Sequence, residues 1–258
     1  MAPSTSSNAT NTGDGLGRFP YHQIWCCDFE FYGADGDLPV PVCMVAKELR
    51  SGRVIRLWQD ELRQLDGPPF DTGPEALFVA YYASAEIGCF LALGWEVPER
   101  VLDLFTEFRA ETNGLWVPHG NSLLGALNYF GLPAMGAEEK ADMRDLILSG
   151  GPWDGGDRAA ILDYCQGDVE ALQRLVAVIA CKVAPKNDHD LLRLGQGLLR
   201  GRYMVAVAHM EHYGVPVDLP MLERLREGWQ QIRHELIMAV DADYGVYEST
   251  TFKMARFE

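Results

Sequence analysis

Residues 24–31, IWCCDFEF, have the composition of a buried β-strand that carries two carboxylates. The run is apolar and aromatic, and the turn-forming residues YGADGD follow it at 32–37. Because side chains alternate between the two faces of a strand, Asp28 and Glu30 share one face and Phe29 lies on the other. Two adjacent acids on such a strand repel each other and lose hydration unless a cation lies between them. The pair therefore indicates a divalent metal site; an amphipathic strand with one hydrated face is the alternative.

The segments that follow predict a mixed α/β sheet flanked by helices. Further strands are predicted at 40–49, 53–58, 76–82 and 101–105, the first two of which form an antiparallel meander with the opening strand. Helices are predicted at 84–93, 123–130, 137–148, 157–183 with Asp157 as its N-cap, 191–212 and 219–242. A meander, then strands alternating with helices, then helices alone, is the order of a mixed sheet with a C-terminal helical extension.

Composition narrows the class of protein. The chain has 258 residues and a net charge of -15, which argues against a protein that coats nucleic acid with a broad positive surface. A nucleic-acid enzyme with a local substrate contact remains compatible with that charge. The six cysteines form no CxxC pair and are typical of buried thiols in a reducing compartment. No membrane-spanning run and no signal peptide is recognised, so we expect a cytoplasmic protein without a membrane partner.

A third carboxylate stands out in the predicted helix 157–183. Asp168 occupies one position of an apolar stripe at helical spacing, and Tyr164 precedes it by one turn. A charge on the face that packs against a sheet is unfavourable unless it is paired or bound to a metal. An aspartate hydrated at the edge of the stripe is the alternative, but the combination with the Asp28 and Glu30 strand favours an active site.

Glu86 falls in the first turn of the predicted helix 84–93, directly after a strand. An acid in this position complements the positive end of the helix dipole. It can equally be a third acid that projects over the end of the sheet. The sequence leaves both interpretations open.

These motifs, in this order, resemble those of the DEDD-type 3′→5′ exonucleases. They are Asp28-x-Glu30, then Glu86 after a strand–helix turn, then Tyr164-x-x-x-Asp168, which is the pattern of the tyrosine subgroup. The resemblance is strongest to the proofreading domain of phage-like family-A DNA polymerases. Residues 198–218 are similar to the segment in which such polymerases pass from the exonuclease to the polymerase portion.

The middle motif departs from this family. Its usual form has Asn four residues before Asp, whereas Tyr82 and Glu86 stand in these positions here. The histidine of the other subgroup would stand at position 163, which is Asp163.

The resemblance implies an RNase H-like mixed sheet, antiparallel meander plus parallel strands, flanked by helices. It implies two Mg²⁺ or Mn²⁺ ions as cofactors and Tyr164 as the group that orients the attacking water. The metal ligands implied by it are Asp28, Glu30, Glu86 and Asp168. The implied domains are a disordered tail at 1–18, an exonuclease domain at 19–188 and a helical extension at 189–258.

The implied substrate is the single-stranded 3′ end of DNA, from which nucleoside 5′-monophosphates are released during proofreading of DNA replication. A polymerase portion in cis or in trans is the implied partner, in a bacterial or phage-infected cell; the chain itself would be an excised exonuclease portion or a stand-alone relative. Two alternatives stay open: RNA trimming of the RNase D type, and a degenerate fold that binds nucleic acid without cutting it. Candidates for stacking bases and contacting phosphates are Phe31, Tyr32, Lys182, Arg193, Arg200 and Arg202, although solvated helix faces explain the cations equally well.

Overall fold

The computed structural model of the protein describes residues 16–34, 36–133, 137–183 and 191–257. Its strands are β1 Gln23–Tyr32, β2 Val40–Glu48, β3 Val54–Trp58, β4 Ala76–Ala80, β5 Val101–Asp103, β6 Tyr247–Glu248 and β7 Thr251–Phe252. Its α-helices are α1 Gln59–Leu62, α2 Ser84–Ala92, α3 Leu104–Glu111, α4 Leu123–Tyr129, α5 Ala137–Leu148, α6 Gly155–Val183, α7 Leu191–Tyr213, α8 Leu219–Tyr244 and α9 Met254–Phe257, and Leu16–Arg18 form a 3₁₀ turn. None of these described helices is both long and apolar enough to span a membrane.

Five strands form one mixed sheet in the order β3-β2-β1-β4-β5. β1 pairs antiparallel with β2, which pairs antiparallel with β3, whereas β1 with β4 and β4 with β5 are parallel. Parallel pairing places the carboxyl ends of β1, β4 and β5 at the same edge of the sheet. The predicted fold class is confirmed as a mixed α/β sheet, an antiparallel meander plus parallel strands, flanked by helices.

Alternation along β1 separates two hydrophobic cores. Ile24 and Cys26 contribute to the core that α6 covers. Trp25 and Phe29 contribute to the core on the opposite face, which contains residues of α2 and α7. Asp28 continues the alternation of Ile24 and Cys26, so its carboxylate lies on the face that α6 covers.

Several predicted boundaries were wrong. β5 ends at Asp103 because the Asp103 carboxylate accepts hydrogen bonds from the backbone N–H groups of Phe105 and Thr106 and so begins α3, a helix that was not predicted. Asp157 is not the N-cap of α6, which begins at Gly155. The Asp154 carboxylate instead accepts the N–H groups of Gly156 and Asp157. Of the predicted disordered tail at 1–18, residues 16–18 instead form the 3₁₀ turn. The rest of that tail and the predicted break at 185–190 lie outside the described residues.

The chain divides into two compact units after Gly214. The first holds the five-stranded sheet and runs through α7, since Met204 and Ala208 of that helix belong to the core beside α2. The division therefore differs from the predicted boundary after residue 188, while the domain roles stay predictions. The second unit contains α8, capped by Asp218 and ended by Gly245 at φ 63°, followed by the β6–β7 hairpin, which was not predicted.

Helix α7 lies directly on the backbone of β5. A Cβ at Gly201 would overlap the carbonyl oxygen of Val101. We expect Gly201→Ala to lower the free energy of unfolding by about 2 kcal/mol, because neither backbone can yield without loss of packing. Gly195→Ala in the same helix is the control: apart from the backbone of its own helix, no atom of the described residues lies within 4 Å of its Cβ position, so stability should rise by about 0.5–1 kcal/mol. Urea unfolding measures both, and an unchanged Gly201→Ala variant would show that the helix does not pack this closely.

Candidate active site

Two carboxylates and one thiol come together between β1 and α6. One ligand atom from each of Asp28, Glu30 and Cys165 lies within 4.8 Å of the others. Both carboxylates are partly buried, whereas Cys165 is fully buried. This group does not include Asp168 or Glu86. The face of β1 that carries the two acids thus packs against the stripe of α6 that contains Cys165. Strand alternation and helical spacing predict that these two faces lie together.

Cys165 is a site neighbour that sequence reasoning missed, because its position on the α6 stripe marked it as a small apolar residue. Its Sγ lies 3.3 Å from the Asp28 carbonyl oxygen and 3.4 Å from Asp28 Oδ2. Burial, followed by a hydrogen bond with Cys43 and the nearby acids, raises the pKa of the Cys165 thiol well above its usual value. A thiolate is the metal-binding form of cysteine. Cys165 is therefore suited to donate a hydrogen bond to Asp28 and poorly suited to bind a metal.

Tyr164 lies near this acidic group and pairs with Asp168 of the same helix. The Tyr164 hydroxyl is hydrogen-bonded to the Asp168 carboxylate, one helical turn along α6. Burial, then the charges of Asp168, Glu30 and Asp28, raises the pKa of Tyr164 far above its usual 10.0. Tyr164 is therefore a neutral phenol at physiological pH, able to position a neighbour but not to remove its proton.

Glu86 lies in the first turn of α2 and is only 4% exposed. Burial, then the charge of Asp28, raises the pKa of its carboxyl group well above the usual 4.5. Its Oε2 is buried and has no hydrogen-bond partner among the described residues. A glutamate that complements a helix dipole ordinarily lies in water. The structure instead places Glu86 in the interior beside Asp28, while its catalytic role stays a prediction.

Asp103 holds the turn that leads into α2, and sequence reasoning did not identify it. Its Oδ1 accepts the Tyr82 N–H at 3.2 Å and its Oδ2 accepts the Ala83 N–H at 3.1 Å. The same carboxylate caps α3, and its burial raises the pKa of Asp103 to about 6. Tyr82 has a φ of 69°, which is unfavourable for a residue with a side chain. An aspartate at the end of a strand and before a helix is an N-cap pattern. That pattern could have revealed that Asp103 caps α3, but not that it holds the turn before α2.

The donor set fits a hard divalent cation. Carboxylate oxygens are the ligands that Mg²⁺ and Mn²⁺ prefer, whereas zinc sites are rich in histidine and thiolate. A cation would also supply a partner for Glu86 Oε2, which has none among the described residues, and reduce its repulsion with Asp28. Of the predicted ligands, Asp28 and Glu30 have ligand atoms close together, whereas Glu86 and Asp168 stay predicted ligands.

Two of the predicted phosphate-binding cations pair with acids that are not among the predicted metal ligands. Arg200 donates from Nε to Glu107 at 2.6 Å, and Glu107 is buried. Lys182 pairs with Glu111. Both pairs involve α3, the helix that was not predicted, so neither pair could be inferred from the sequence.

The buried state of Glu86 predicts how stability depends on pH. A carboxyl group whose pKa is higher in the folded than in the unfolded protein favours folding below the unfolded value, and this contribution is lost as the pH rises. Without divalent metal, we expect the free energy of unfolding to fall from pH 5 to pH 8, by about 1.4 kcal/mol per unit of pKa difference.

Glu86→Gln should flatten that profile, as measured by urea unfolding in EDTA. In that variant, Asp103 still causes a smaller decrease in the free energy of unfolding between the pKa of Asp103 in the unfolded chain and its folded pKa of about 6. The control is Glu96→Gln, because Glu96 is exposed. A Glu86→Gln profile identical to that of the wild type would contradict the interior position of this acid.

The sequence matches no family model, and no curated protein matches it significantly. Among solved structures, the chain is similar to the crystal structure of Escherichia coli RNase D, described as an exoribonuclease involved in structured RNA processing. The TM-score is 0.46 and the sequence identity is 14%. The match covers 85% of this chain and 52% of that one, so the chain spans about half the length of RNase D.

Proposed function

We propose that the protein is a metal-dependent 3′→5′ exonuclease that releases nucleoside 5′-monophosphates from single-stranded or frayed DNA ends. The observation that carries the proposal is the buried carboxylate of Glu86. It lies near Asp28, and its Oε2 has no hydrogen-bond partner in the part of the chain that the structure describes. Acids from three separate segments are unfavourable together unless they serve a cation. The order of the three motifs along the chain supports the same reaction.

Each acidic residue has a proposed role. Asp28, Glu30, Glu86 and Asp168 would hold two Mg²⁺ or Mn²⁺ ions. When bound, such ions activate a water and stabilise the negative charge of the phosphate that is attacked. Tyr164 keeps its proton and, anchored on Asp168, would orient the water by hydrogen bonding. Cys165 would hold the carboxylate of Asp28 in place.

DNA is the proposed substrate because residues 198–218 resemble the junction of a proofreading exonuclease with its polymerase portion. A polymerase portion, in cis or in trans, is the proposed partner. RNA is the alternative, since a metal held by these residues would act on the phosphate and not on the sugar. The same carboxylates would serve either substrate.

A 5′-labelled DNA oligonucleotide and an RNA of the same sequence test the proposal. With Mg²⁺ or Mn²⁺, we expect a ladder of fragments shortened from the 3′ end, with nucleoside 5′-monophosphates as the other product. EDTA should abolish the ladder. A ladder on RNA alone would establish the alternative substrate. No ladder on either nucleic acid, together with no Mn²⁺ binding by the acidic group, would favour a non-cleaving fold and overturn the proposal.

A further inference from the structure

A cavity lies beside the candidate active site, at the end of β1 and the start of α6. Its volume is about 410 Å³, and its lining includes Tyr32, Trp58, Trp153 and Arg158. Tyr32 follows Glu30 by two residues, which on a strand means the same face at about 6.6 Å. Arg158 precedes Cys165 by seven residues, two turns along the same face of α6. The cavity is thus next to the acidic group along both elements.

Three aromatic rings form one corner of this cavity. The ring centroids of Tyr32 and Trp153 are 6.0 Å apart, and those of Trp58 and Trp153 are 5.8 Å apart, both with edge-to-face geometry. Trp58 is buried, and its partners are partly exposed. The Trp153 indole donates to the Leu146 carbonyl oxygen at 3.1 Å, which fixes the ring in the loop before α6. A partly exposed, fixed indole is suited to stack against a planar base.

Arg158 supplies a cation at the same cavity. Its guanidinium lies 5.2 Å from the Trp58 ring centroid, and its side chain is 44% exposed. Its carboxylate partner is Glu61, at 3.5 Å, and that side chain is 52% exposed. Exposed ion pairs of this kind contribute little stability, so a phosphate can replace Glu61 at small cost. A chain with a net charge of -15 needs such a local cation to bind a polyanion.

The two carboxylates in the lining limit what can bind. Asp60 and Asp154 also border the cavity. Asp154 is engaged by the N–H groups of Gly156 and Asp157 at the start of α6. With these acids around a single arginine, the cavity favours one nucleotide over a polyphosphate.

From these observations we propose that the cavity binds one nucleotide of the substrate strand, with its base stacked on Trp153 and its phosphate on Arg158. The proposal rests on the proposed nuclease function and specifies how the strand is held when its 3′ end lies at the acidic group. Recognition by stacking and by one phosphate contact is independent of base sequence.

Steady-state kinetics on a single-stranded oligonucleotide test this subsite. We expect Trp153→Ala to raise KM about tenfold, as for loss of one stacked base, with a much smaller change in kcat. Trp153→Phe should restore most of the binding, because a ring remains. Arg158→Gln should raise KM and reduce the salt dependence of binding by about one counterion. Trp116→Ala and Arg109→Gln, at exposed positions that do not line this cavity, are the matched controls.

An abasic scan makes the test specific. A substrate with one abasic nucleotide at the position that occupies the cavity should bind the wild type about tenfold more weakly, and Trp153→Ala should add no further loss at that position. Equal losses from Trp116→Ala and Trp153→Ala, or losses that add at every abasic position, would overturn the subsite.

Binding is also measured by fluorescence anisotropy of a labelled oligonucleotide with Ca²⁺ in place of Mg²⁺, and a second readout is the melting temperature of each variant. If the wild type binds the oligonucleotide but does not cleave it with Mg²⁺ or Mn²⁺, the proposed function fails. Weaker binding by a stably folded Trp153→Ala variant, as measured by anisotropy, would still support the subsite. If the wild type cleaves and this variant binds normally, the subsite fails and the nuclease function stands.

Discussion

Asp28→Asn is expected to lower the exonuclease rate by about a thousandfold, since a lost metal ligand removes several kcal/mol of transition-state stabilisation. Asp28 belongs to the acidic group, in which the ligand atoms of Asp28, Glu30 and Cys165 all lie within 4.8 Å of one another. Its charge also acts on Glu86 and Tyr164. Asparagine keeps the shape of the side chain but removes the charge that would hold the cations.

The same substitution should stabilise the metal-free protein, because it removes a charge that opposes ionisation of Glu86. We therefore expect a higher melting temperature in EDTA and a smaller increase on addition of Mn²⁺ than in the wild type. Asp163→Asn is the matched control on α6. Asp163 pairs with Arg56 at 2.6 Å but its side chain is 70% exposed, so activity should be unchanged. Full activity of Asp28→Asn would show that this acid does not hold the metal.

Asp103→Ala is expected to lower the free energy of unfolding by about 4 kcal/mol, as for loss of a buried hydrogen-bond network. Asp103 is fully buried and its carboxylate accepts four backbone N–H groups, two from the turn before α2 and two from the first turn of α3. Without it these donors lose their buried acceptor. Asp103→Asn should cost less, because one carbonyl oxygen remains.

The loss should be larger at pH 5 than at pH 7.5. The pKa of Asp103 is about 6 in the folded protein, above its usual 3.8. The stability that this group contributes is therefore greatest below its unfolded value and declines as the pH rises through about 6. Urea unfolding at the two pH values measures the difference.

Asp71→Ala is the control for Asp103, because Asp71 is exposed and accepts one backbone N–H, from Gly73 at 2.9 Å. Asp71→Ala should lower the free energy of unfolding by less than about 1 kcal/mol, as ordinary surface substitutions do. Equal losses from Asp71→Ala and Asp103→Ala would contradict the role of Asp103 in holding the turn. Exonuclease activity of Asp103→Asn should fall along with stability, since the turn positions Glu86.

The mixed sheet was predictable because its signals are local. Alternation in β1 identifies the two faces, and the short turn after β2 identifies the meander. The same alternation placed Asp28 and Glu30 on one side, and helical spacing placed Asp168 on the stripe of α6 that covers that side. The start of α6 was not predictable, because Asp154 and Asp157 both lie near it and the folded chain decides which carboxylate accepts the first N–H groups. The end of β5 was missed because Asp103, the cap of α3, lies within the apolar run 101–105.

The surroundings of the acids required the folded chain. Glu86 had two interpretations in the sequence; the parallel register that pairs Cys26 with Val79 brings the end of β4, and with it the start of α2, to the end of β1. In the same way Ala80 pairs with Asp103, which puts the Asp103 carboxylate against the turn after β4.

Side-chain periodicity alone established which residues of β1 and α6 face the same layer, since that property is repeated every few residues along the chain. The depth of Glu86, the contact of Cys165 with Asp28 and the two hydrogen bonds that Asp103 accepts from Tyr82 and Ala83 arise from contacts between elements distant in sequence. Burial and electrostatic coupling depend on distances in three dimensions, which no spacing along a single segment contains.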